Sequence, residues 1–176
     1  NFSGATALDA YVRNLVLYLI TTSPPQEPLL ERSGASFLAF RNATVANATG
    51  NGTAYTVIPN TQVFDVGNAY DPLTGLFTAP RTGRYLFTAQ VYLTPLNGTT
   101  HNNYNLALIT TGATYSTADA GVAAFTSRSL TITTLANMLQ GETATLQVSV
   151  SGGAQTVGVY GDAAARYTIF SGYEVR

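Results

Sequence analysis

The sequence of 176 residues contains no cysteine, no lysine and no tryptophan, and it has only one histidine and one methionine. Without cysteine the chain has no disulfide bond, no thiolate nucleophile and no cysteine-based metal site, and such a chain suits secretion. The net charge is -1 at pH 7, so the chain lacks the positive charge expected of a protein that binds nucleic acid.

Charge of either sign is scarce. Charged residues make up 10% of the sequence, whereas soluble domains usually carry about a quarter. Hydrophobic residues make up 45%, and the mean hydropathy is +0.12. The length fits one domain with its own core. We therefore expect part of the surface to be buried against other subunits. The alternative is a monomer whose neutral surface is rich in threonine, serine and asparagine.

The N-terminal segment has a helical pattern. Apolar side chains recur every three or four positions between Leu8 and Leu19, which predicts a short helix over about residues 7–20. This segment is shorter than the roughly 20 apolar residues that cross a membrane. Two roles remain open for residues 1–32: three copies form the stem of a trimer, or the helix packs on its own domain.

Residues 33–176 have the pattern of β-strands throughout. Short runs rich in valine, threonine, tyrosine and phenylalanine are separated by glycine, asparagine, proline and aspartate. Apolar and polar residues alternate over Tyr85–Val91 and Ala144–Val150, as in strands with one buried face. No repeat of solenoid or propeller length is present. The pattern predicts an all-β sandwich or jelly roll.

The segment Val63–Phe87, VFDVGNAYDPLTGLFTAPRTGRYLF, resembles the signature of the C1q-like domain family. Six positions fall at the family's spacing: Asp65, Tyr70, Phe77, Gly83, Tyr85 and Phe87. Two positions depart from it, because Pro59 and Ala89 stand where the family has aromatic residues. Three further motifs follow in the family's order: LQGE at Leu139–Glu142, VYGD at Val159–Asp162 and FSGY at Phe170–Tyr173. The resemblance covers about residues 35–176.

This resemblance implies a ten-stranded jelly roll that forms a homotrimer, like the relatives of tumour necrosis factor. Such heads cap a collagen-like or coiled-coil stalk outside the cell or on a virion surface. The resemblance also implies that the aromatic residues serve core and trimer packing and not ligand binding. These residues are Tyr70, Phe77, Tyr85, Phe87, Phe170 and Tyr173.

No constellation of catalytic residues is apparent. His101 is the only histidine; it lies in a polar stretch, residues 97–105, which predicts a loop position. The sequence has no G-x-S-x-G elbow, and its nine acidic residues are scattered. We predict that the chain is not an enzyme and needs no cofactor.

One metal is implied by the resemblance. Some family members hold calcium near the trimer apex with carboxylates of a loop that corresponds here to about residues 115–121. Asp119 is the only acidic residue in that segment, whereas calcium takes six to eight oxygen ligands. A ring of three Asp119 carboxylates on the trimer axis is one reading, and a solvated loop is the other.

Two surface features could serve recognition. Arg81 and Arg84 flank a Thr-Gly turn and could bind sulfated or carboxylated glycans, because arginine pairs with such anions in a bidentate way; the alternative is a solvated hairpin end paired with local acids. Five N-x-[ST] sequences are potential glycosylation sites in a secreting eukaryote: Asn1, Asn42, Asn47, Asn51 and Asn97.

The function that we predict is a trimeric extracellular recognition or adhesion head that binds a glycan or a surface protein multivalently. We expect no nucleic-acid partner and no membrane insertion. The alternative is a structural head that nucleates and registers a trimeric stalk or fibre and has no ligand of its own.

Overall fold

The structure is a computed structural model that describes residues 34–121 and 125–176. The helix expected over residues 7–20, and its role as a trimer stem over residues 1–32, lie outside the described residues. Within the described ranges there is no helix, and the chain forms thirteen β-strands.

The strands vary from two to twelve residues in length. They are β1 Ser36–Phe40, β2 Ala43–Thr49, β3 Ala54–Val57, β4 Thr61–Val66, β5 Tyr70–Asp71, β6 Leu76–Thr78, β7 Gly83–Thr94, β8 Asn103–Thr110, β9 Thr114–Ala120, β10 Arg128–Met138, β11 Thr143–Ser151, β12 Val157–Asp162 and β13 Ile169–Val175. The expected number of ten strands is wrong. The reason is that the turn-rich stretch of residues 43–78 is divided into five short strands, β2 to β6.

The strands form two antiparallel sheets. Sheet A contains β1, β2, β4, β7, β10, β12 and β13, and sheet B contains β3, β5, β6, β8, β9 and β11. Strand β7 organises sheet A: it pairs with β10 along nearly its whole length, with β13 over its first part and with β12 at its end. The architecture is an all-β, jelly-roll-like sandwich.

The core lies between the two sheets. Every second residue of β7 from Tyr85 to Leu93 is buried, and so is every second residue of β11 from Ala144 to Val150. These are the stretches in which the sequence alternates, because successive side chains of a strand point to opposite faces. The largest cluster of rings in the core comes from both sheets: Phe37, Tyr70, Phe77, Tyr85, Phe87 and Phe170.

Asp65, in the signature segment, stabilises the turn between β4 and β5. Its carboxylate accepts hydrogen bonds from the backbone N–H groups of Ala69 and Tyr70, both at 3.1 Å, and from the side chain of Gln62 at 3.2 Å. The Tyr70 hydroxyl then donates to the Pro59 carbonyl at 2.7 Å. The spacing between Asp65 and Tyr70 is therefore a structural requirement of this turn.

The sandwich has two ends. The near end holds Gly34, the start of β7 at Gly83 and the end of β10 at Met138. The far end holds the end of β7 at Thr94, the loop that precedes β8 and the loop that follows β11, where Asn103 pairs with Ser151. No helix of the described ranges is long and apolar enough to cross a membrane.

Candidate functional site

The outer face of sheet A carries large apolar side chains and little charge. Two neighbouring rows cross its strands: Val66, Ser36, Tyr173, Leu86 and Leu135 in one, and Phe64, Leu38, Ser171, Thr88 and Thr133 in the other. Neither row contains a charged residue. Val66, Phe64, Leu135 and Tyr173 are 40–50% exposed. An exposed apolar patch of this kind on a soluble domain marks an interaction surface.

Three tyrosine rings continue this face toward the far end. Tyr92, Tyr160 and Tyr167 lie with their ring centroids 5.1–5.7 Å apart. The Tyr92 hydroxyl donates to Ser127 Oγ at 2.8 Å. This cluster was not expected from the sequence, because the pairing of β12 with β7 brings Tyr160 to Tyr92, and the pairing of β13 with β7 brings Tyr167 to them.

The outer face of sheet B has a different chemistry. Gln147 and Asn105 of its central strands point outward beside serine, threonine and alanine of their neighbours. Along these central strands the face is uncharged and hydroxyl-rich, and none of the large apolar side chains that are exposed lies on the described strands of sheet B. The two faces of the sandwich are therefore suited to different partners.

Arg81 is engaged within its own chain. Its Nε donates to Glu174 Oε2 at 3.1 Å, and Arg176 lies 3.7 Å from the other oxygen of the same carboxylate. The Glu174 side chain is 8% exposed, so Arg81 compensates a carboxylate that is largely removed from water. The Arg81 carbonyl accepts the hydroxyl of Tyr85 at 2.6 Å, and burial raises the pKa of that tyrosine.

Arg84 is placed differently. It points outward from β7, and no hydrogen-bond or ion-pair partner for its guanidinium is found among the described residues. It lines a cavity of about 500 Å³ at the near end together with Thr82, Asn137 and Leu139. The two arginines that were expected to act together thus have separate surroundings, and Arg84 is the one with free donors.

Asp119 lies on strand β9, so the expectation that residues 115–121 form a loop is wrong: β9 is held in the sheet by its pairing with β8. Its carboxylate pairs with the Arg128 guanidinium, which also lies 4.7 Å from the centroid of the Tyr104 ring. The described residues contain no group of three or more histidine or acidic side chains that could hold a metal. The described residues of one chain therefore offer no set of carboxylates that fits calcium, and a ring of three Asp119 carboxylates from three subunits stays an untested alternative.

His101 occupies a loop, as expected, but it is 1% exposed. Its Nδ1 accepts a hydrogen bond from the Asn97 N–H at 3.0 Å, and its Nε2 lies 3.1 Å from the Ala154 carbonyl oxygen, to which it donates. Both ring nitrogens are therefore bound to backbone, and neither is available as a general base.

The six aromatic residues singled out in the sequence take two positions. Five of them are at most 3% exposed and belong to the core cluster, whereas Tyr173 is 50% exposed on the outer face of sheet A. Four of the five candidate glycosylation residues, Asn42, Asn47, Asn51 and Asn97, are exposed, and Asn1 lies outside the described residues.

The sandwich is similar in fold to solved structures of other proteins. Solved structures with the same fold include the globular domain of zebrafish complement 1qA, with a TM-score of 0.59 and 16% identity over 81% of this chain and 98% of that one. Murine APRIL at pH 5.0 has a TM-score of 0.57 and 12% identity over 81% and 99% of the two chains. Eiger TNF from S. frugiperda has a TM-score of 0.56 and 12% identity over 82% and 94%.

The family itself is shown by sequence. The sequence of residues 37–175 matches the family model of the C1q domain, so this chain belongs to the C1q domain family. No curated protein matches the chain.

Proposed function

We propose that the chain is the non-enzymatic head of an extracellular homotrimer and that it recognises a glycan or a surface protein through several copies of the same weak site. The observation that carries this proposal is the outer face of sheet A, where two adjacent rows of side chains are uncharged and partly apolar. A stalk preceding the head and a location at a cell or virion surface belong to the same proposal.

Self-association accounts for the exposed apolar side chains. Phe64, Tyr173 and Leu135 are close to half exposed, and the Tyr92–Tyr160–Tyr167 cluster extends the same face. Tyrosine and other aromatic residues are frequent in the cores of interfaces, where charged residues are scarce. Burial of such a patch against copies of the same chain is worth about 25 cal/mol for each Å² of apolar surface removed from water.

Recognition would then use the surfaces that self-association leaves open. The unpaired Arg84 guanidinium offers five donors in a planar fork, which suits a carboxylate or sulfate group. One such contact is weak, but three copies joined in one particle raise the local concentration of sites, which strengthens binding to a multivalent surface.

The oligomeric state is tested by sedimentation or light scattering with matched variants. Leu86 and Ile109 are both half-buried aliphatic residues on strands paired on both sides, and they point outward from opposite sheets. We expect Leu86→Glu to dissociate the particle and Ile109→Glu to leave it associated. A wild-type monomer at micromolar concentration would contradict the proposal, and so would dissociation by Ile109→Glu alone.

Ligand binding is tested with a panel of anionic and neutral glycans and extracellular proteins. We expect a hit on an anionic glycan whose binding falls about tenfold or more in Arg84→Ala, because a charge-assisted bidentate contact is lost. Arg166→Ala is the matched control, since Arg166 is an exposed arginine at the far end whose guanidinium lies 4.8 Å from the Phe40 ring centroid. Equal losses in both variants would speak against a specific site at Arg84.

The alternative function is that of a structural trimerisation head without a ligand. The same outer face of sheet A favours it as much as it favours recognition, because registration of a stalk needs only self-association. A trimer that binds nothing across a broad panel, yet is required for the stalk to assemble, would favour this alternative.

A further inference from the structure

His101 joins three loops at the far end of the sandwich, which we call the far-end loops: residues 50–53, 97–101 and 152–156. The ring accepts the Asn97 N–H and donates to the Ala154 carbonyl, so it bridges two of the loops directly. The third is connected to them through a backbone hydrogen bond of 3.0 Å from Gly153 N–H to the Gly50 carbonyl. The imidazole is not their only link, because Asn51 Nδ2 donates to Gln155 Oε1 at 3.4 Å and Gln155 Nε2 donates to the Asn47 carbonyl at 3.1 Å.

The packing around the ring leaves no space for adjustment. A Cβ added to Gly153 would lie 2.3 Å from His101 Nε2, and one added to Gly50 would lie 3.1 Å from the same atom. Real Cβ atoms do not approach to 2.3 Å, so Gly153 is the residue that allows the loop to lie against the ring. The ring is held between backbone segments and cannot turn away without moving them.

The two hydrogen bonds of the His101 ring are compatible with only one protonation state of the imidazole. The neutral imidazole with its proton on Nε2 satisfies both partners, because Nδ1 is then an acceptor and Nε2 a donor. The cation carries a proton on each nitrogen, so Nδ1 would place an N–H against the Asn97 N–H. The Asn97 N–H would then be a buried donor without an acceptor, which destabilises the closed loops by the full desolvation cost of that group, and it would face a second donor on the ring.

Among residues 34–121 and 125–176 no charge near the ring compensates the cation. The groups within the far-end loops that face it are uncharged: Asn97, Thr100 and the backbone of residues 50 and 153–154. On β8 the Tyr104 hydroxyl donates to the His101 carbonyl at 2.6 Å. Beyond Tyr104, Arg128 and Asp119 pair with each other. Among the described residues no carboxylate forms an ion pair or hydrogen bond with the imidazole.

We infer that His101 is a pH-sensitive latch: its neutral ring holds the far-end loops closed, and its protonation releases them while the sandwich stays folded. Acidification is the perturbation that tests the latch, because the cation carries an N–H group on each ring nitrogen and the far-end loops have an acceptor for only one of them. This inference does not depend on which ligand the domain binds or on whether it is trimeric.

The full chain provides a direct readout, because His101 is its only histidine. The single imidazole Cε1–H resonance reports the protonation of His101, and the backbone amides of Asn97 and Gly153 report the two loops. When the pH is lowered from about 7.5 to about 5, we expect the protection factors of these amides, corrected for intrinsic exchange, to fall about fivefold or more, which is the effect of losing one hydrogen bond. Amides in the centre of β7 should keep their protection.

Two variants make the test decisive. Gly153→Ala should open the far-end loops already at about pH 7.5, with the exchange pattern that the wild type shows in acid. His101→Gln keeps a donor and an acceptor but does not titrate in this range, so the acid-dependent loss of protection should disappear. Titration of His101 with the Asn97 and Gly153 amides still protected would overturn the inference. So would the same acid-induced loss in wild type and His101→Gln.

Discussion

Gly172 is the residue of the FSGY motif at which a single methyl group should be most damaging. It lies in β13 between Phe37 of β1 and Phe87 of β7, and the rings of both cover it. A Cβ at this position would be 2.6 Å from Phe87 Cδ1 and 2.8 Å from Phe37 Cε1. Carbon atoms in contact lie about 3.5–4.0 Å apart, so each ring would have to move by roughly 1 Å.

Neither ring is free to make this movement. Phe37 stacks on Tyr70 with centroids 4.6 Å apart, and Phe87 meets Phe77 at 5.2 Å. Overpacking of a dense core by one methyl group costs about 1–3 kcal/mol, and the upper part of that range fits a site blocked on both sides. We therefore expect Gly172→Ala to lower the free energy of unfolding by about 2–3 kcal/mol. At about 2–4 °C per kcal/mol, the melting temperature should fall by about 4–12 °C.

The assay is thermal and urea unfolding followed by circular dichroism, with Gly112→Ala as the matched control. The nearest atom to a Cβ at Gly112 is Glu142 Oε1 at 4.0 Å, so this change should shift the free energy of unfolding by less than about 1 kcal/mol. Phe87→Leu should offset part of the cost of Gly172→Ala in the double variant. A Gly172→Ala protein as stable as the wild type would refute the reasoning about this close contact.

Three further outcomes are expected. Thr49→Val should lower the free energy of unfolding, measured by urea titration, by about 2–4 kcal/mol. The reason is that the buried Thr49 hydroxyl donates to the Thr53 carbonyl at 2.6 Å and accepts the Val150 N–H at 2.9 Å. A loss below about 0.5 kcal/mol would mean that water takes the place of the hydroxyl. Tyr70→Phe should cost about 1–2 kcal/mol at pH 7 by removing the hydrogen bond to the Pro59 carbonyl. Burial, and to a smaller extent the charge of Asp71, raises the pKa of Tyr70 in the folded state, so the wild type loses stability as the pH rises above about 10, where the unfolded chain ionises. The difference in the free energy of unfolding between wild type and Tyr70→Phe should therefore narrow above that pH. A difference that stays constant would contradict this. Millimolar calcium should leave the melting temperature of the wild type unchanged, since Arg128 already pairs with Asp119; a rise that Asp119→Asn abolishes would instead support a ring of carboxylates.

More of the fold than of the candidate site could be predicted from the sequence. Alternation in β7 and β11 and the spacing from Asp65 to Phe87 are local properties, and each has a local physical cause in the strand period or in the turn that Asp65 closes. The number of strands was missed because two- and three-residue strands such as β5 and β6 have no period of their own.

The candidate site was harder to predict because its contacts join distant parts of the chain. Arg81 and Glu174 are 93 positions apart, so nothing in the sequence indicated that one arginine of the pair was occupied and the other free. His101 was placed correctly in a loop, but nothing in the polar residues next to it indicates that its ring is buried. Its neighbours Gly50 and Ala154 come from other segments, and they remove it from water.

By itself the sequence determined the class of the domain: an all-β chain of the C1q domain family with few charges and no cysteine. It did so because strand periodicity, turn chemistry and family spacing are short-range properties. Only the tertiary structure decided which face is apolar, which arginine is unpaired and which histidine nitrogen accepts a hydrogen bond. Those features depend on strand pairing across dozens of residues, and burial and charge pairing exist only after the two sheets have come together.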